Sequence, residues 1–359
     1  MKKFWLLGIL SVLLLSAVLN FAVDVGIVLP TNVEPRWIQD ETRFKELLKN
    51  TKYSVEILFS QGSPAKEREN VEALLSKGAK VIIICPHDAV AAAATAELAK
   101  KSGAYVISYD RLIMNTSAVD YYVTFDSVEV GRAMGRFLVQ NVKSGTKNNP
   151  LYLYAGALSD NNSFLFFQGA WEILQPEIAK GTFRIINSSE AEKVKNKKDL
   201  TRDEMARIIG QVTTNWDFNV AKKKAEDDLT RAKATDKGTV YILAPNDGTA
   251  RAIADAFRTD KDVKAYYITG QDAEKASVQY IIDGKQSMTV FKDTRVLAGD
   301  AIKVAQLLLE GKKPTTTATY DNGKIKVPAI QSEIQVVTKD NVKKILIDSG
   351  YYKSSDFKW

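Results

Sequence analysis

From Val23 onward the chain alternates short β-branched runs with longer stretches whose apolar residues recur at helical spacing, the pattern of parallel sheets covered on both faces. The runs that read as strands are Val23 to Leu29, Val55 to Phe59, Lys80 to Cys85, Tyr105 to Ser108 and Tyr121 to Thr124, with helices between the first four. A helix beginning near Ser127, with Val130, Met134, Phe137 and Leu138 on one face, restarts the alternation. It continues through strands at Leu151 to Tyr154, Phe183 to Ile186, Val240 to Leu243, Tyr266 to Thr269 and Met288 to Phe291. The predicted fold class is α/β, with two doubly wound, Rossmann-like parallel-sheet lobes of similar size. A helix from Asp293 to Glu310 carries Leu297, Ala301, Val304, Ala305 and Leu308 on its apolar face, with Gly311 and Pro314 after it. A polar connection from Thr315 to Lys326, a strand near Ile334 to Val337 and a last helix from Val342 to Asp348 complete the reading. The Lys- and Glu-rich segment from Asn187 to Gln211 reads as a surface excursion inserted into the second half.

Composition sharpens this picture at a few points. A chain of 359 residues with 45% hydrophobic residues can bury a large core and is too long for one ordinary domain, so two are expected. Met1-Lys-Lys3, the apolar run Phe4 to Leu19 and small residues near Ala22 have the layout of a secretory leader removed after about residue 22. No cysteine follows that run, so a lipid anchor is not expected. The lone Cys85 lies inside an apolar strand and reads as packing. The formal charge of +7 is dispersed, and Lys222-Lys-Lys224 is answered by Glu226, Asp227 and Asp228 about one helical turn later. No nucleic-acid partner is therefore expected. His87 is the single histidine, which argues against a metal site, and no cofactor is expected.

Ligands of open α/β sheets sit beyond the carboxyl ends of the strands, so the residues that follow each predicted strand share a cleft. The first half places Arg36-Trp37, His87-Asp88 and Tyr109-Asp110-Arg111 there. The second half adds Asp160-Asn161-Asn162, Asn215-Trp216-Asp217, Asn246-Asp247-Gly248, Gln271-Asp272 and Lys292. Carboxylates, amides and guanidinium groups satisfy hydroxyls that both donate and accept, and an indole face covers the C–H surface of a pyranose. Each residue alone has a plainer reading. Asp110-Arg111 could be a surface ion pair, Asn246 a helix cap and Trp37 packing beneath the cleft. Paired acids could also serve a glycosidase, but Gly-x-Ser-x-Gly, Gly-x-x-x-x-Gly-Lys and Gly-x-Gly-x-x-Gly are all absent, so binding is expected in place of catalysis.

The set Arg36-Trp37, Tyr109 to Ile113, Asp160 to Asn162, Asn215-Trp216, Pro245 to Gly248, Gly270 to Ala273 and Phe291-Lys292 resembles the periplasmic xylose-binding proteins and the similar multiple-sugar-binding proteins of bacterial ABC importers. The resemblance runs from about Asp24 to about Tyr352, and its seven motifs come in the family's order. It implies a type I solute-binding fold, with lobes 23–125 plus 293–330 and 126–292 plus 331–359 joined by a three-stranded hinge. It implies a monosaccharide held by Arg36, Asp110 and Arg111 from one lobe and by Asn161 or Asn162, Trp216, Asn246, Asp272 and Lys292 from the other. The sugar stays open among xylose, glucose, galactose and arabinose. The implied setting is a periplasmic monomer read by an ABC permease, with a chemoreceptor or sensor kinase as a further reader. Sugar-responsive repressors share the fold but carry an N-terminal helix-turn-helix where this chain has its leader.

Overall fold

Val25, Ile27 and Leu29 of β1 (Val25–Leu29) join one apolar cluster and Val28 another, so both faces of this strand are packed. That is why its sequence is continuously apolar rather than alternating. The computed structural model describes residues 22–49 and 51–359; the expected leader, 1–22, lies outside them except for its last residue. After β1 come α1 (Pro35–Leu48), β2 (Val55–Phe59), α2 (Pro64–Ser76), β3 (Val81–Ile84), α3 (Ala92–Lys101), β4 (Tyr105–Tyr109) and β5 (Tyr121–Phe125). These strands are all parallel, in the order β2-β1-β3-β4-β5. Pro35 opens α1 at a position where its missing N–H costs nothing, and the buried stripe Arg36, Trp37, Asp40 and Phe44 faces the sheet.

The second lobe runs through α4 (Ser127–Gln140), β6 (Asn149–Leu153), α5 (Asn161–Ala179), β7 (Phe183–Ile185), α6 (Ser189–Lys193), α7 (Arg202–Val212), α8 (Phe218–Arg231), β8 (Gly238–Leu243), α9 (Asp247–Thr259), β9 (Val263–Ile268), α10 (Lys275–Ile282) and β10 (Met288–Phe291). Its parallel sheet has the order β7-β6-β8-β9. Leu151 and Leu153 pack against α4, α5 and α7, while Tyr152, Val240 and Ile242 pack against α8 and α9. The chain then returns: α11 (Thr294–Leu309) lays Leu297, Ala301, Val304, Ala305 and Leu308 on the first sheet. The hairpin β11 (Ala318–Asp321) and β12 (Lys326–Ser332) extends that sheet, β12 running parallel to β5. Finally β13 (Gln335–Thr338) pairs antiparallel with β10.

Three segments depart from the sequence expectation. The polar connection from Thr315 to Lys326 contains β11 and the start of β12, held by the buried Asn322, whose amide donates to the carbonyls of Ile113 and Thr116. The excursion from Asn187 to Gln211 is instead packed structure. It contains α6 and most of α7, and Ala191, Met205, Ile208 and Ile209 enter the lobe core. Where a last α-helix was expected, residues Lys343–Ile347 form a π-helical turn. In addition, β12 pairs with β5 as far as Ser332 opposite Phe125.

Candidate functional site

Between the two sheets, at the carboxyl ends of their strands, a partly open void with a cavity volume of about 30 Å³ is lined by Glu34, Arg36, Trp37, Asp110, Arg111, Asp160, Asn162, Phe166, Trp216, Asn246, Gln271, Asp272 and Lys292. Eight of the nine residues proposed from sequence line it. Asn161 does not: its Oδ1 accepts from Arg202 Nη1 at 2.9 Å, outside the void.

Arg36 is the centre of the polar network. Its Nε donates to Asp40 Oδ2 at 2.6 Å, its Nη2 to Asp110 Oδ2 at 2.7 Å and its Nη1 to Asp272 Oδ1 at 3.1 Å. Asp40 and Asp110 belong to the first lobe and Asp272 to the second, so one guanidinium holds two carboxylates within its lobe and one across the cleft. With the lobes in contact Arg36 is 3% exposed. Tyr109 Oη donates to the remaining oxygen of Asp40 and fixes that carboxylate in turn. Arg111 crosses the cleft to Asp160 Oδ2 at 2.9 Å, and its guanidinium lies 4.9 Å from the centre of the Trp37 ring. Asn162 Nδ2 crosses in the opposite direction to the Asp110 carbonyl at 2.9 Å. A main-chain bond from Ala89 N to Ser159 O, 2.8 Å, closes the mouth.

Helix ends and tight turns aim these groups. Asp160 caps α5 by accepting from Asn162 N, which sets Asn162 one position inside the helix and pointed at the first lobe. Asn246 caps α9 through Thr249 N and lines the void as well. Asp110, Asn215, Trp216, Asp272 and Ala273 all have positive φ, between +50° and +99°. Such conformations cost non-glycine residues about 1–3 kcal/mol each and gather at functional sites. Hydrogen bonds hold the turn at Asp272: its N–H donates to Val290 O, and Val290 N to Gly270 O, both at 2.9 Å. Lys292, directly after β10, then reaches Asp272 Oδ1 at 2.8 Å.

Electrostatics define what this void can hold. Burial works to raise the Asp110 carboxyl, but Arg36, Lys292 and Arg111 together outweigh it and hold its pKa below the ordinary value. For Glu34, Asp40 and Asp160 burial wins and the pKa is raised, Arg111 opposing it at Glu34 and Asp160 and Arg36 at Asp40. Each of the three cationic side chains, Arg36, Arg111 and Lys292, is paired with at least one of these carboxylates or Asp272. Three buried polar atoms of the lining, Trp37 Nε1, Trp216 Nε1 and Gln271 Oε1, have no protein partner. Two donate and one accepts, which fits hydroxyl groups. Trp216 and Phe166, edge to face with centroids 6.3 Å apart, supply an apolar wall.

Sequence reasoning left out Phe166, set Asp160 and Gln271 in the cleft without choosing them as sugar contacts, and placed Trp37 beneath the cleft, whereas it both packs in the core and lines the void. Phe166 lies four residues after Asn162 on α5, a spacing that points both side chains the same way. Asp160 and Gln271 each adjoin a residue that was chosen, and Glu34 lies two positions before Arg36.

Comparison with known proteins gives three findings. The family described as periplasmic binding protein domain matches residues 25–313. The chain is 34% identical over 349 residues to the multiple sugar-binding periplasmic receptor ChvE of Rhizobium radiobacter, covering 94% of each. It is 28% identical over 353 residues to the D-xylose-binding periplasmic protein of Escherichia coli (strain K12), covering 98% of each. Among solved structures, a carbohydrate transporter solute binding protein from Chloroflexus aurantiacus in complex with D-glucose is 68% identical with a TM-score of 0.92, over 94% of this chain and 98% of that one.

Proposed function

The chain belongs to the periplasmic binding protein family, and on that footing we propose that it is the substrate-binding component of an ABC sugar importer, closing on a single pyranose between its lobes. The carrying observation is the void itself: paired charges, three partnerless polar atoms and an aromatic wall, drawn from both lobes. D-glucose is the first candidate, because the relative at 68% identity is a glucose complex; D-xylose comes second. In this reading Arg36, Asp110, Arg111, Asn162, Asn246, Asp272 and Lys292 hydrogen-bond the hydroxyls. Gln271 and Trp216 Nε1 complete the set, and the Trp216 and Phe166 rings cover the C–H face. Asn161 is reassigned to supporting the start of α5 through Arg202.

The hinge reading is that 23–125 with 293–332 moves against 126–292 with 333–359. It is supported by three passages of chain between the sheets, at Asp126, around Asp293 and after Ser332. Bonds made only when the lobes meet, Arg36 to Asp272, Arg111 to Asp160 and Asn162 to Asp110, favour the closed state once a sugar supplies the remaining partners. Export to the periplasm and delivery to a permease follow from the leader pattern and from the company the chain keeps. Isothermal titration of the mature protein with D-glucose, D-xylose, D-galactose and L-arabinose tests the proposal. At least one should bind at micromolar affinity or tighter, about −8 kcal/mol, and quench or shift tryptophan emission. If none of the four gives heat or raises the melting temperature, the sugar assignment is wrong.

A further inference from the structure

Trp216 reaches the void in an unusual way. Asn215 and Trp216 have φ of +52° and +61°, two successive left-handed turns that fold the indole back over the loop after β6. The ring lies against Gly156. A Cβ at Gly156 would fall 2.0 Å from Cζ2, 2.2 Å from Cη2 and 2.4 Å from Cε2 of that ring. No L side chain fits there while the indole stays where it is, since carbon atoms meet at about 3.5–4.0 Å. The backbone at Gly156 has nowhere to retreat. Its carbonyl accepts from Thr213 Oγ1 at 2.7 Å, and neighbouring Ala155 is bonded to the segment leading to Trp216 through Ala155 N to Val212 O and Thr214 N to Ala155 O. Gly156 and Trp216 are therefore carried by two chain segments pinned together, and the space between them is set by one missing methyl group.

We propose that Gly156 is a specificity-determining position: by letting the indole lie flat on the backbone, it sets the depth of the apolar wall and hence the size of sugar that fits. The inference rests on the sugar-binding reading above. Gly156 is a positioning residue, acting through Trp216. A methyl group at Gly156 moves the ring by on the order of 1.5 Å, and the open side is the void that Trp216 lines. A hexopyranose, with its hydroxymethyl group, loses more from that shift than a pentopyranose. The ring carries Nε1 along, so the partnerless donor is misaimed as well.

The test is titration of D-glucose and D-xylose into the wild-type protein, Gly156→Ala, Trp216→Ala and the double variant, with tryptophan emission followed in parallel. Wild-type binding of either sugar establishes the underlying reading; its absence with both would sink that reading rather than this one. Gly156→Ala should weaken D-glucose at least tenfold, weaken D-xylose by a smaller factor, and reduce the sugar-induced change in tryptophan emission. In the Trp216→Ala background, Gly156→Ala should have no further effect on either sugar. Equal losses for both sugars, unchanged affinity in the single variant, or additive losses in the double variant would each overturn the proposal. Should Gly156→Ala alone fail to fold, the double variant decides: folding and binding like Trp216→Ala supports the proposal, and unfolding there too overturns it.

Discussion

Replacing Arg36 with alanine should damage two things at once, and the structure separates them. Two of its three ion pairs, to Asp40 and Asp110, lie within the first lobe and are present whether or not the lobes meet; only the third, to Asp272, spans the cleft. Removing one partner of a buried ion pair typically costs about 3–5 kcal/mol, because the charge left behind has lost both water and counter-ion. Arg36→Ala strands Asp40, which is fully buried, and leaves Asp110 to Lys292 and Arg111. The sugar-free protein should therefore lose about 3–5 kcal/mol, a fall in melting temperature on the order of 10 °C for a lobe of this size. Without the guanidinium, the Asp40 carboxyl, already raised by burial, rises further and becomes neutral at moderately low pH. A carboxyl whose folded pKa lies above its unfolded value favours the folded state at low pH and loses that advantage as pH rises, so the deficit at pH 8 should shrink toward pH 5. Asp272→Asn, which alters the cross-cleft pair and the contact with Lys292, should cost the sugar-free protein less than half as much while weakening sugar binding tenfold or more. Thermal melts from pH 5 to pH 8, paired with titration calorimetry, give all four numbers. If sugar-free Arg36→Ala melts within 2 °C of wild type at pH 8, or its deficit does not depend on pH, Arg36 is not the internal brace described here.

Two further outcomes follow from the same structure. Burial pushes Glu67 up to about 7 from its ordinary 4.5, the His87 N–H and Arg111 opposing and Asp88 adding to the shift, and its Oε1 has no protein partner. Between those values the folded state holds the extra proton, so stability should decline by up to about 3 kcal/mol as pH rises from 4.5 to 7, and Glu67→Gln should flatten that decline; parallel pH profiles for the two proteins would refute it. In solution scattering, saturating D-glucose should lower the radius of gyration as the lobes meet through Arg36–Asp272 and Arg111–Asp160, and an unchanged value would show that the sugar does not drive closure.

Much of this fold was legible because parallel strands buried on both faces leave uninterrupted apolar runs, and the residues after those runs are confined to one end of the sheet. What was missed has physical reasons. β11 is the edge strand, with Ala318–Asp321 half exposed, so the hydrophobic signal is diluted; the better clue was Asn322-Gly323, a turn pair with Gly323 at φ +84°. The segment leading to Gln211 was judged by its Lys and Glu residues, yet Thr201 and Glu204 form a capping box and Met205, Ile208, Ile209 and Val212 recur on one face. Asn161 and Asn162 cannot be told apart by motif, since adjacent positions on a helix differ by about 100° and only the position of α5 decides which one faces the void. The positive φ values of Trp216 and Asp272 leave no mark that a string of letters displays, and neither does the contact between Gly156 and an indole sixty residues away.

The two lobes contribute to the site on different terms, and this bears on how closure is driven. In the first lobe, Arg36 is fixed by Asp40 and Asp110, Asp40 by Tyr109, and the Asp110 carbonyl by Tyr122 Oη at 2.6 Å. Groups held this firmly lose little freedom when a sugar arrives, so the first lobe is the preorganised half. In the second lobe, Asp272 is paired only with Arg36 and Lys292, Asp160 finds its cation across the cleft, and Trp216 Nε1 has no protein partner. Bringing that half in strips water from carboxylates on both sides of the cleft, Glu34 and Asp160, whose pKa burial raises, a cost that ion pairing alone often fails to offset. A sugar seated on the first lobe changes the balance, because its hydroxyls give the incoming carboxylates, amides and indole donors and acceptors that water no longer supplies. Moving such an equilibrium from mostly open to mostly closed takes about 5.5 kcal/mol of preference for the closed state. Only contacts from the second lobe can supply that preference, since those from the first lobe are the same in both states.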